Sequence, residues 1–186
     1  LDVLSGRVQV GKRAAIIGAG GIGFDVAEYL VHEGDSSTLD PARWMAEWGV
    51  DPTFESPGSL AKPRPEAPAR EVWLLQRSAG KPGARLGKTS GWVHRATLKA
   101  KQVKMLGGVE YLGVDEAGLK ILVEGVEQVL PVDHIVVCAG QEPRRDLQAE
   151  LLAAGITSHL IGGADVAAEL DAKRAIDQGS RLAAVL

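Results

Sequence analysis

The stretch from Lys12 to Gly23, KRAAIIGAGGIG, restricts the fold of this chain more than any other. A short apolar run ends at Gly18, and glycines follow at Gly18, Gly20, Gly21 and Gly23. Then comes FDVAEYLVHE, in which Val26, Leu30 and Val31 recur at helical spacing beside Ala27. The unit is a buried strand, a glycine turn and a helix. The turn has the spacing G-x-G-x-x-G, which suits the pyrophosphate of a dinucleotide. The first glycine permits a tight turn, the second leaves room for phosphate against backbone, and the third lets helix and strand pack closely. Amide groups and the positive dipole end of the helix then face the anion. Gly18, Ala19, Gly20, Gly21, Ile22 and Gly23 are therefore the expected cofactor-binding turn.

The rest of the chain reads as further pieces of an α/β fold. Asp40-Pro41 marks a helix start, and a short helix runs through Trp48 to Gly49. Prolines 52, 57, 63, 65 and 68 make residues 52–69 an irregular loop. EVWLLQ (71–76) and DHIVVC (133–138) read as buried strands, and 89–102 as a helix. Residues 104–130 hold three short alternating runs, VEYLGV, LKILVE and EQVLP, with Gly118 and Gly125 near the turns, which predicts a small antiparallel meander over that span. Helices are expected over 147–154 and 172–186. The expected fold class is α/β, a Rossmann-like dinucleotide-binding domain with an inserted antiparallel meander.

Charge is uneven along the chain. From Arg77 to Val109 there are eight basic residues and no acidic ones, while the remainder carries 13 basic against 24 acidic. The second strand ends at Gln76-Arg77-Ser78, where an NAD-specific fold would place a carboxylate for the ribose 2′-hydroxyl. Arg77 and Lys81 instead suit a 2′-phosphate, which favours NADPH. The later lysines are equally compatible with a solvated helix face. Trp92 alone interrupts this basic run, so no stacking surface for nucleic acid is expected. Gly87-Lys88-Thr89 resembles the end of a P-loop, but Pro82 occupies the position of its first glycine. Ala139 and Gly140, after the last strand, could let backbone pass close to a nucleotide. Gly163 and Asp165 precede a helix, where the carboxylate could accept a hydrogen bond from a ribityl hydroxyl or cap the helix.

The four histidines are scattered without metal-ligand spacing, and Cys138 is the single cysteine, so neither a metal site nor a disulfide is expected. Cys138 reads as an inert core thiol in a reducing cytoplasm. No apolar run approaches the roughly 20 residues of a spanning helix, and no secretory leader pattern opens the sequence. No catalytic residue is assigned. The residues alone leave open an electron-input module, a nucleotide-sensing module and a self-contained dehydrogenase.

Four segments taken together carry a resemblance: GAGGIGFDVA, LQRSAGKPGARLGKTSGWVHR, CAGQEPR and LIGGADVAAELDAKRAIDQGSRLA. They resemble the C-terminal part of the bacterial NADPH-dependent 2,4-dienoyl-CoA reductases, and the likeness spans nearly the whole chain. In that family an FMN-containing barrel with a 4Fe-4S cluster precedes an FAD domain into which an NADPH domain is inserted. The resemblance implies that residues 12–140 are the NADPH-binding domain and that 1–11 and 141–186 are returning segments of the FAD domain. It implies Arg77 and Lys81 at the 2′-phosphate, Ala139 and Gly140 along the cleft, and Gly163 and Asp165 on the FAD side, with a helix from Asp171 directed at the flavin. The chain starts at Leu1 and holds no barrel, cluster cysteines or first FAD glycine motif. It is expected to be a piece whose partners are NADPH and the remainder of its own polypeptide. FAD would belong to the full-length protein, and FMN and the cluster to its N-terminal part. Exposed apolar surface is expected on the helix at 172–186.

Overall fold

The structure is a computed structural model that describes residues 2–168 and 172–186. It divides into two compact units, Leu1–Ala139 and Gly140–Leu186.

The first unit is built on a four-stranded parallel sheet of β1 (Arg13–Ile17), β2 (Glu71–Leu75), β3 (Lys104–Leu106) and β7 (His134–Val137), in the order β3-β2-β1-β7. Helices α1 (Gly21–Val31) and α3 (Gly91–Ala100) connect β1 to β2 and β2 to β3. Between β3 and β7 the chain forms a separate antiparallel sheet, β4 (Glu110–Asp115), β5 (Gly118–Val123) and β6 (Val126–Leu130), in that spatial order.

Alternation along the strands assigns the two faces of the parallel sheet. Ala14, Ile16, Val72 and Leu74 are fully or almost fully buried against Phe24, Ala27, Leu30 and Val31 of α1 and Leu98 of α3. Ala15, Trp73 and Leu75 point the other way, onto Val109 and onto Leu119, Ile121 and Leu130 of the meander. The meander is therefore the third layer, and the strands are apolar on both faces because both are covered.

Residues 32–70 depart from the sheet between α1 and β2. A single turn of 3-10 helix, Ser37–Leu39, leads to α2 (Pro41–Trp48). The carboxylate of Asp40 accepts from the amides of Ala42 and Arg43 at 3.0 and 3.2 Å, and Gly49 closes the helix in the left-handed conformation. The proline-rich loop that follows is pinned by a Val50–Leu60 bridge and by Arg64 N–H donating to Ala46 O.

Three expectations need correction. Lys104–Leu106 belongs to the parallel sheet, paired with Trp73–Leu75, and a three-residue strand is too short to show a period. Helix α3 begins at Gly91 rather than Thr89, because 87–90 form a tight turn in which Gly91 N–H reaches Gly87 O at 2.7 Å. Lys101 is not on a solvated face: it is 6% exposed and faces Glu47 and Glu66.

The second unit holds α4 (Asp146–Ala153), a 3-10 turn at Gly162–Ala164 and α5 (Ala172–Ala183). Helix α5 lies on that turn, with Ala175 beside Gly162 and Gly179 beside Ile161. It ends at Ala183 rather than Leu186, and none of its residues is buried. The expected helix start at Asp171 lies outside the described residues. Among the described residues no helix is long and apolar enough to cross a membrane.

Candidate functional site

The order β3-β2-β1-β7 reverses direction between β1 and β7. In open parallel sheets the crevice outside the carboxyl ends of strands at such a reversal is where ligands bind. Gly18 stands at the end of β1 with φ +113°. A Cβ there would meet the carbonyl oxygen of Cys138 at 2.6 Å and the amide nitrogen of Ala139 at 3.0 Å. The structure thus sets the glycine turn directly beside Cys138–Ala139.

The glycines of the turn divide into two kinds. At Gly23 a Cβ would stand 1.8 Å from Gly18 O, so helix and strand are in backbone contact. At Gly20 and Gly21 a Cβ would meet nothing within 4 Å. Gly20 is the N-cap of α1, no side chain caps that end, and its first turn holds no acidic residue. The amides of this first turn therefore open onto the space in front of Gly20, where an anion would be favoured. Ile22, also in this first turn, is half-exposed. These features fit a pyrophosphate: the space is free of side chains, and the donors are backbone groups.

The loop after β2 reaches the same end of the sheet. A Cβ on Gly83 would collide with the ring of Phe24 in α1, at 2.6 Å from Cζ. Arg95 of α3 donates to Gly83 O at 2.8 Å. The segment Lys81–Leu86 is thereby seated on the first turn of α1. Upstream, Gly108 N–H donates to Ser78 O and Val109 N–H to Gln76 O, tying 76–80 to the residues after β3. Arg77 and Lys81 are exposed, and among the described residues neither they nor Arg85 and Lys88 have an ion-pair partner. Four free cations on a loop beside an uncapped helix N-terminus make a positive rim to the crevice.

One neighbour of this rim had no signal in the sequence. Tyr111, on β4, has a buried hydroxyl that finds no hydrogen-bond partner among the described residues. Burial pushes its pKa up, against a smaller downward pull from the charge of Arg77. The thiol of Cys138 is likewise pushed up by burial, which makes it a poor nucleophile.

Gly140, Gly163 and Asp165 belong to the second unit. Gly140 has φ +81° and is exposed. Asp165 follows the 3-10 turn. Its Oδ2 accepts from Gln178 Nε2 at 2.9 Å, and Gln178 Oε1 accepts from Gly162 N–H at 2.6 Å. Arg145 donates to Ala164 O at 2.8 Å and also to Asp165 O. The GGAD turn is a rigid, polar corner. Among the described residues no group of His, Cys, Asp and Glu is placed to hold a metal ion.

No protein-family model matches the sequence. A metal reductase of Desulforamulus reducens is 26% identical over 152 residues, covering 81% of this chain and 21% of that protein. Among solved structures, 2-naphthoyl-CoA reductase in complex with 2-naphthoyl-CoA aligns with a TM-score of 0.61 and 19% identity, over 96% of this chain and 22% of that one. The flavoprotein disulfide reductase RclA of Escherichia coli aligns over 73% of this chain and 23% of its own, with a TM-score of 0.45 and 13% identity. The chain spans about a fifth of the length of the metal reductase and of 2-naphthoyl-CoA reductase. Its mixed α/β fold, a parallel sheet with an antiparallel sheet beside it, is found within a reductase.

Proposed function

We propose that the chain is the NADPH-binding, electron-input part of a flavoprotein reductase of the 2,4-dienoyl-CoA reductase type. The observation that carries this reading is the pairing of an open, uncapped glycine turn at Gly20–Gly21 with unpaired cations at Arg77 and Lys81. The turn suits the pyrophosphate. The guanidinium suits a 2′-phosphate through two parallel charge-assisted bonds, and Lys81 adds a point charge.

On this reading residues 12–140 form the NADPH domain, with the turn Gly18, Ala19, Gly20, Gly21, Ile22 and Gly23 at the pyrophosphate and Ala139 and Gly140 along the nucleotide cleft. Residues 1–11 and 141–186 return to an FAD domain, with Gly163 and Asp165 on its side. FAD, when bound, would accept the hydride that NADPH carries. This chain's own residues bind the nicotinamide dinucleotide, select the 2′-phosphate and hold its phosphates against the end of β1. The FMN, the 4Fe-4S cluster and the acyl-CoA site lie in the remainder of the polypeptide. The name of 2-naphthoyl-CoA reductase, a reductase of a CoA thioester, supports the acyl-CoA part of the reading.

The test is calorimetric titration of the purified chain with 2′,5′-ADP and with 5′-AMP, which differ only in the 2′-phosphate. One or two charge-assisted bonds predict at least about tenfold tighter binding of 2′,5′-ADP. That preference is expected to disappear in Arg77→Ala. Equal affinity for the two ligands would overturn the NADPH assignment. Reduction of a dienoyl-CoA by the chain alone would overturn the placement of the acyl-CoA site elsewhere.

A further inference from the structure

Behind the helix layer of the first unit lies a cavity of about 490 Å³. It is open to solvent on one side and lined by the C-terminal half of α1, the Ser37–Leu39 turn, α2, Pro63 and Glu66 of the following loop, and α3 with Lys101. The glycine turn is at the opposite end of α1, on the order of 15 Å away along the helix. The cavity is therefore separate from the nucleotide crevice.

Lys101 is the residue that most needs explanation. A buried ammonium is costly unless acceptors surround it. Its nearest carboxylate oxygens are Glu47 Oε1 at 3.4 Å and Glu66 Oε2 at 3.8 Å. Both distances exceed the roughly 2.7–2.9 Å of a direct ammonium–carboxylate hydrogen bond. Each carboxylate is held by another donor: Ser37 Oγ reaches Glu47 Oε2 at 2.6 Å, and Arg43 Nε reaches Glu66 Oε1 at 2.6 Å. The ammonium thus retains donor capacity on a wall of the cavity.

The opposing features are aromatic. Trp44 and Trp48, one turn apart on α2, line the same cavity with ring centroids 6.3 Å apart and planes inclined by 42°. The cavity therefore offers a donor-only cation, an acceptor-only carboxylate and a π surface. The lining holds one cation, Lys101, and three carboxylates, Glu28, Glu47 and Glu66, so an anion is disfavoured. Each carboxylate already has a donor beside it, His94 at Glu28, Ser37 at Glu47 and Arg43 at Glu66, so an uncharged occupant is the better match.

We propose that this cavity binds a neutral, planar nitrogen heterocycle that presents adjacent carbonyl and N–H groups, stacked on Trp44 with the inclined ring of Trp48 beside it. The carbonyl accepts from Lys101, and the ring N–H donates to Glu47. The volume lies within the roughly 300–1,000 Å³ of small-molecule sites and accommodates a bicyclic ring. This site does not depend on the NADPH reading.

Guanosine is the probe, because its base carries a carbonyl beside a ring N–H. Adenosine, whose base lacks that pair, is the control. Both are titrated into the full chain, with the nucleotide crevice saturated by 2′,5′-ADP, and followed by calorimetry and tryptophan fluorescence. Guanosine is expected to saturate in the millimolar range or tighter and to bind at least about tenfold better than adenosine. Trp44→Ala, at a residue 39% exposed, is expected to weaken guanosine about tenfold, the scale of one stacked base. Glu47→Gln is expected to weaken it similarly while retaining a side chain of the same size. Trp44→Ala should keep the unfolding midpoint within a few degrees, Glu47→Gln should lower it because the buried Lys101 loses its nearest carboxylate, and both should leave 2′,5′-ADP affinity unchanged. Failure of guanosine to saturate, equal binding of adenosine, or unchanged guanosine affinity in both variants would each overturn the proposal.

Discussion

A Cβ placed on Gly23 would stand 1.8 Å from the carbonyl oxygen of Gly18. The first turn of α1 and the end of β1 are therefore in backbone contact, and neither can yield without moving an element. Gly23→Ala is expected to destabilise the first unit by about 3 kcal/mol, the upper end of overpacking penalties, read as a lower urea midpoint. Gly20→Ala is the informative contrast, since its Cβ would meet nothing within 4 Å. It should fold with a midpoint lowered much less than in Gly23→Ala, by the loss of a preferred N-cap residue alone, and bind 2′,5′-ADP at least about tenfold more weakly, because the added methyl occupies the space proposed for the pyrophosphate. Normal binding by Gly20→Ala would separate the turn from the ligand.

The backbone geometry of the glycine turn was legible in the sequence because its cause is local. Gly18, Gly20 and Gly23 lie within six residues, and the close packing at Gly18 and Gly23 and the open space at Gly20 follow from the absence of a Cβ. Arg77 could be placed because it follows directly on the end of a strand that its own apolar run announces. What could not be read depends on distant partners. Lys101 looks like a solvated lysine until α2 and the loop carrying Glu66 fold over it. Strand β3 has no pattern of its own and exists because Trp73–Leu75 offers an open edge. Tyr111 meets the influence of Arg77 only through the packing of the meander.

The pairing of Arg13 with Asp133 joins the starts of β1 and β7. Arg13 Nη2 and backbone N–H reach the two carboxylate oxygens at 2.6 and 2.9 Å. The side-chain bond from Arg13 is the main reason the Asp133 carboxyl titrates below its usual range. A carboxyl with a lowered folded pKa stabilises fully above its unfolded value, about 3.9, and loses that contribution as pH falls through the folded value. Asp133→Asn should therefore have a lower urea midpoint than the parent at pH 7. The gap should narrow progressively below about pH 4. A gap independent of pH would remove the charge from the explanation.

The meander is held to the sheet by apolar burial. Ile121 is fully buried beside Trp73 and Leu75, and Leu119 and Leu130 complete that layer. Truncation at such a site costs the transfer energy of the lost methylenes and the cavity they leave. Ile121→Ala is expected to destabilise the unit by about 2–5 kcal/mol. Val129, on the neighbouring strand but exposed, should tolerate alanine within about 0.5 kcal/mol. Comparable losses at both positions would mean that the meander is not anchored through its inner face.

Cys138 tests the crevice from its other wall. Its carbonyl oxygen is the atom that a side chain on Gly18 would strike, so the residue lies beside the glycine turn. Its thiol is partly buried, and burial raises its pKa. The thiolate is the reactive form, and at pH 7 an ordinary thiol near pKa 8.5 is only a few per cent ionised. A raised value lowers that fraction further. Alkylation by iodoacetamide at pH 7 should therefore be slower than that of free cysteine, and should accelerate as pH rises. Global unfolding in urea should restore the ordinary rate. A native rate equal to that of free cysteine would mean that the Cys138 thiol is exposed to solvent rather than packed against the core.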